Sequence, residues 1–159
     1  MTAVKRFGSG LDAGALTAYI SVVNDSLSFQ LVVTLHAVVE RLEEALEPLG
    51  LSLAKFGVLS RLAAAGEPLP LGTLAERCAC VRSNITQLVD RLETERLVMR
   101  ADDPRDRRSV RAELTPEGRE RQAAGAHALE KAERELLSRL PRPQRDSLVS
   151  LLRSLRGPA

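Results

Sequence analysis

Between Leu71 and Gly118 the hydrophobic pattern changes period, and that change constrains the fold of this chain more than any other feature. Leu71, Leu74 and Cys78 recur at helical spacing, and Ile85, Leu88, Val89 and Leu92 follow at i, i+3, i+4 and i+7. Only Ala79, Cys80 and Val81 join the two rows. Helices joined by so short a turn cross steeply and hold the N-terminal half of the second helix outward, as in a helix-turn-helix. Leu97 to Ala101 and Ser109 to Leu114 then alternate apolar and polar residues around a polar, turn-rich tip at residues 102–108. A strand hairpin, or wing, is therefore expected directly after the second helix.

The outward positions of that helix are Arg82, Ser83, Asn84, Thr86, Gln87 and Arg91. They are rich in donors and mostly uncharged, the chemistry that reads base edges in a major groove of double-stranded DNA. From Arg96 to Arg111 there are six Arg against three Asp, so the hairpin is cationic although the whole chain carries only +2. A thin loop rich in Arg suits a narrow minor groove, where negative potential is focused. The net charge is too small to imply indiscriminate coating of nucleic acid, and the surplus sits in the latter half: residues 1–70 hold five basic and seven acidic groups. Arg supplies twenty of the 23 basic residues, which fits bidentate phosphate and base contacts but equally a GC-rich genome.

The stretch from Leu74 to Glu93, followed by the stretch from Asp103 to Gly118, resembles the DNA-binding core of the multiple-antibiotic-resistance regulator (MarR) family of bacterial winged-helix repressors. The likeness covers the central third of the chain at motif level and weakens to a pattern from about Phe29 to Leu155. Its most specific element is Asp106 and Arg108 in the wing. The resemblance implies that Arg108 enters the minor groove and that Asp106 orients it, with Arg105 and Arg107 beside them. Residues two apart on an extended strand share a face, so the carboxylate can hold the guanidinium bidentately. Three positions depart from the family pattern. Arg96 and Ala79 stand where Gly is usual, and Pro70 where a Ser or Thr cap is usual. Arg96 must then adopt a left-handed conformation or the helix must end differently.

Around this core the chain reads as helical scaffold. Residues 1–26 form a Gly-containing tail with one possible short helix. Leu27, Leu31, Leu35, Val38, Leu42, Leu46 and Leu49 then mark a helix about 30 Å long over residues 27–50. Ser52 is the expected cap of the next helix, whose core row is Phe56, Leu59, Leu62 and Ala63, and Leu69 is expected to pair as one extended residue beside the wing. Thr115, Pro116 and Glu117 make a cap, a first-turn Pro and a dipole-matched carboxylate. The helix they open carries Ala124, Ala128, Ala132, Leu136 and Leu140, and a last helix from about Pro143 carries Leu148, Val149, Leu151, Leu152 and Leu155. These end segments have no evident surface to bury against in a small winged helix. The expectation is a mainly α protein with a small β-wing: a winged helix-turn-helix over 51–115, and helices over 27–50 and 116–159 that form a homodimerisation domain.

Other chemistries find little footing. Cys78 and Cys80 invite an oxidant-sensing role, as in some members of the family, but stand where the family carries core aliphatics, and buried free Cys packs as a small hydrophobe. A zinc site would want further ligands, and the two His are His36 and His127. His36 lies near where the resemblance implies a small-molecule cleft, making it a candidate ligand contact for an inducer; a simply hydrogen-bonded or exposed side chain is the blander role. No Gly-rich phosphate loop or nucleophile elbow is present, and no cofactor or enzyme activity is expected. With no membrane-spanning run and no signal-peptide pattern, the expected location is the cytoplasm. A winged helix can also dock protein rather than DNA, and that adaptor reading is the alternative.

Overall fold

The computed structural model of the chain describes residues 26–102 and 110–157. Residues up to Glu40 and residues from Arg41 onward form two compact units. Helix α1 (Leu27–Leu46) begins in the first, where Leu27, Leu31, Val32, Val33, Leu35 and Val39 are exposed. It ends in the second, where a 3-10 turn over Glu47–Leu49 closes at Gly50, whose φ of 66° is left-handed.

The second unit holds α2 (Leu53–Ala65), β1 (Leu69–Pro70), α3 (Leu71–Arg77), α4 (Arg82–Thr94), β2 (Val98–Asp102), β3 (Val110–Leu114), α5 (Pro116–Leu136) and α6 (Arg142–Arg156). Helix α2 starts on two caps. Ser52 Oγ accepts from Lys55 N at 3.2 Å as expected, and the Glu43 carboxylate also accepts from Leu53 N at 3.1 and 3.2 Å. Its buried row is Val58, Leu59 and Leu62; Ala63, expected inside, is exposed, and Phe56 is half-buried.

The sheet is antiparallel in the order β1-β3-β2, with Leu69 opposite Ala112 and Val98 opposite Leu114. Leu69 thus supplies the extra extended residue expected of it. Alternation puts Val98, Ala112 and Leu114 in the core while Met99 is exposed. Leu46, Leu74, Ile85, Val89 and Leu92 complete a core in which each of them is fully buried.

Helix α5 opens as its sequence predicts, and Thr115 does more than cap: its hydroxyl accepts from Gly118 N at 2.9 Å and donates to Arg96 O at 2.7 Å, tying the helix start to the end of α4. The deepest positions lie outside the alanine row, whose Ala128, Ala132 and Leu136 are half-buried. Gly118 and Gly125 are the buried residues of α5, while Ala124 is exposed. A Cβ at 118 would fall 1.9 Å from Leu97 O, and one at 125 would fall 2.8 Å from Phe56 Cδ2. Missing side chains let α5 approach α2 and the β2 root closely, so its first half does have a surface to bury against. Helix α6 has no buried residue.

Candidate nucleic-acid interface

The join between α3 and α4 is built on a non-glycine residue in the left-handed region. Ala79 has φ of 50°, Cys80 N donates to Ala75 O and Ala79 N to Glu76 O, both at 3.0 Å. These are the paired bonds of a Schellman stop. The same device ends α4: Arg96 has φ of 59°, Leu97 N donates to Leu92 O at 2.8 Å and Arg96 N to Glu93 O at 2.9 Å. Both positions are where the sequence lacks an expected Gly, and both accept the strained conformation because buried neighbours, Ala75 before one and Leu92 and Leu97 around the other, hold the stop in place. Helix α3 starts at Pro70 with no side-chain cap bond.

Ile85, Val89 and Leu92 anchor α4 in the core, and the remaining sides face out. Arg82, Ser83, Asn84, Thr86, Gln87 and Arg91 are all exposed, so the helix brings together the six side chains selected from the sequence. Two are less free than the sequence suggests. The Thr86 hydroxyl donates to Arg82 O at 3.0 Å, which leaves its methyl group and an acceptor lone pair, not a donor, for anything outside. The Arg82 guanidinium lies over α3, where a Cβ on Gly72 would stand 3.0 Å from Nη2.

The wing departs further from its sequence reading. Arg100 Nη2 meets Asp90 Oδ1 at 2.5 Å and its Nη1 meets Glu93 Oε2 at 3.0 Å. Arg111 Nη1 donates to Pro68 O at 3.4 Å. Two of the six arginines counted as a cationic protrusion therefore point into the protein. Arg105, Asp106, Arg107 and Arg108 lie outside the described residues, and so does the expected pairing of Asp106 with Arg108.

Long side chains from α2 brace the reading unit from behind. Arg61 Nε donates to Arg77 O at 3.0 Å, at the end of α3, and Lys55 Nζ bridges Glu95 Oε1 at 2.6 Å and Gly50 O at 3.2 Å. Neither residue carries a sequence signal, because nothing local says which backbone end a flexible cation will reach. Cys78 and Cys80 are half-buried against the core. Burial, and then the neighbouring Cys80, push the Cys78 thiol up, with Arg61 opposing. That disfavours the thiolate an oxidant sensor needs and fits the packing role. Among the described residues, no group of three His, Cys, Asp or Glu side chains is placed to hold a metal ion. His36 is exposed and its Nδ1 donates to Val32 O at 2.8 Å within α1, in keeping with the blander reading of a hydrogen-bonded or exposed side chain.

Residues 49–109 match the model of the MarR family. The uncharacterized HTH-type transcriptional regulator YkoM of Bacillus subtilis is 35% identical over 106 residues, spanning 65% of this chain and 67% of its own. The HTH-type transcriptional repressor MdtR of the same organism is 32% identical over 98 residues, 59% of this chain and 63% of its own. Among solved structures, the transcriptional repressor CouR of Rhodococcus jostii RHA1, bound to a 23-mer DNA duplex, is similar with a TM-score of 0.74 and 29% identity. That match covers 93% of this chain and 99% of CouR.

Proposed function

The chain belongs to the MarR family of DNA-binding transcriptional regulators, and from that premise we propose that it works as a homodimeric repressor on a roughly palindromic operator. The observation that carries this reading is the exposed polar face of α4, held rigid by a fully buried row on its other side. Asn84 and Gln87 can each offer a donor and an acceptor to one base edge, while Arg82 and Arg91 suit phosphate or guanine. Ser83 and Thr86 fill the same surface. The wing would lie in the flanking minor groove through Arg105, Arg107 and Arg108, with Asp106 orienting Arg108, as the resemblance implies.

The exposed leucines of α6 supply a reason for a second copy. Residues 27–50 and 116–159 form the dimerisation arms in this reading, and two-fold symmetry sets the reading helices about 34 Å apart, or a multiple of that. MdtR and CouR are both named as repressors, which supports repression as the sign of control. A small-molecule inducer that contacts His36 and changes the helix spacing would release the operator. Among the described residues no helix is long and apolar enough to cross a membrane, and a regulator that acts on DNA works in the cytoplasm.

Membership of a family of DNA regulators, rather than enzymes, sets aside catalysis and favours DNA over the adaptor alternative. The test is selection of bound fragments from sheared genomic DNA, followed by gel retardation at low salt. The expected result is enrichment of an inverted repeat bound far more tightly than random duplex. Equal binding to every fragment, or none, would overturn the reading.

A further inference from the structure

We propose that Arg100 is a positioning residue that sets the angle between the reading helix and the wing, so that the two enter adjacent grooves together. The proposal rests on the DNA-binding reading above. Asp90 and Glu93 lie three apart on α4 and so on one face of it, toward its C-terminal end. Arg100 shares its side of β2 with Val98, which is fully buried, so its side chain leaves the strand toward α4 while Met99 faces away. The guanidinium fork reaches both carboxylates, Asp90 at 2.5 Å and Glu93 at 3.0 Å. A single bond would leave the strand free to pivot about it. Two anchors on one planar group fix a direction as well as a distance.

These groups are too exposed for the clamp to be chiefly a source of stability. Side-chain exposure is 27% for Arg100, 53% for Asp90 and 40% for Glu93, and pairs so open to water contribute little to folding. Their charge is also wrong for a direct DNA contact. Two carboxylates stand on the helix proposed to read the DNA, and Arg100 is occupied in offsetting them. Geometry is what remains for it to supply, at the root of the hairpin.

Charge and geometry predict opposite signs, which makes the proposal testable on an operator obtained by selection. Binding is measured against salt for the parent, Arg100→Gln, Arg100→Lys, Asp90→Asn and the Arg100→Gln/Asp90→Asn double variant. Hydroxyl-radical protection of the duplex and thermal melting of each protein accompany these measurements. Arg100→Gln should weaken binding about tenfold or more, and the salt slope should fall together with the wing's cationic contacts as the flanks lose protection. Arg100→Lys should fall between, because an ammonium is a point charge that cannot grip both carboxylates in one plane. Asp90→Asn should weaken binding a few fold even though it removes a negative charge, and the double variant should be no worse than Arg100→Gln alone.

Protection should disappear from the outer flanks of the site and persist at each half-site centre, a pattern that loss of stability does not produce. A salt slope reduced by about one with flank protection retained would make Arg100 itself a phosphate contact and overturn the proposal. Tighter binding by Asp90→Asn, or binding by Arg100→Gln within twofold of the parent, would also overturn it. So would uniform loss of protection with a lowered melting temperature. If Arg100→Gln does not fold, Arg100→Lys and Asp90→Asn carry the same comparison. Retention of the operator by the parent protein checks the DNA-binding reading separately.

Discussion

Helix α4 buries Ile85, Val89 and Leu92 completely, whereas α6, whose leucines follow the same helical spacing, leaves Leu151 63% and Leu155 64% exposed. The two helices are of similar length and both are amphipathic, so nothing in their patterns separates them. What separates them is what lies opposite. Helix α4 meets α2, α3 and β2, and its apolar row is used up inside one chain. Helix α6 keeps its row available. A periodic apolar stripe thus specifies that something will be buried, and the rest of the fold decides whether the partner is intramolecular. In the proposed dimer, α4 carries recognition because it is fixed, and α6 carries assembly because it is not.

The largest effect should come from breaking the α4 side. Leu92→Ala removes a fully buried side chain between α4 and the sheet and is expected to cost about 3 kcal/mol in urea denaturation. A loss below about 1 kcal/mol would mean that the row is less critical than its burial indicates. On α6, Leu151→Asp combined with Leu155→Asp should leave the circular dichroism of the chain unchanged but raise the dimer dissociation constant at least a hundredfold, about 2.7 kcal/mol, by sedimentation. A dimer that persists at micromolar concentration would place the interface elsewhere.

Smaller effects sharpen the comparison within α4. Gln87→Ala lies on its exposed side and should cost about 1–2 kcal/mol on the selected operator and much less on random duplex, with no change in melting. Equal losses on both DNAs would make Gln87 a phosphate contact. The smallest change concerns how the helix ends. Arg96 holds a left-handed φ of 59°, so Arg96→Gly should stabilise the protein by about 0.5–1 kcal/mol, relief of strain outweighing the added freedom of the unfolded chain. Destabilisation would show that the long Arg side chain packs on its surroundings strongly enough to offset the strain.

Much of this protein follows from its sequence alone. Periods of 3.6 and 2 are local properties of a chain, so the succession of helices, the wing and the exposed polar face of α4 are legible in the amino-acid pattern itself. Caps are local too, and Ser52 and Thr115 behave as their positions require. Ala79 and Arg96 are legible as points of strain, since a stop built on a left-handed residue wants Gly, and the fold keeps the stop and bears the strain.

The tertiary structure decided the questions that depend on distant neighbours. It buried Gly118 and Gly125 more deeply than the alanine row of α5, because close approach to Leu97 and Phe56 rewards an absent side chain that no hydrophobicity pattern registers. It turned Arg100 and Arg111 inward although a count of charges placed them on a cationic hairpin. It committed the Thr86 hydroxyl to its own helix. A flexible cation or a small hydroxyl bonds to whatever acceptor the fold brings within reach, and that acceptor is set by packing rather than by position in the chain.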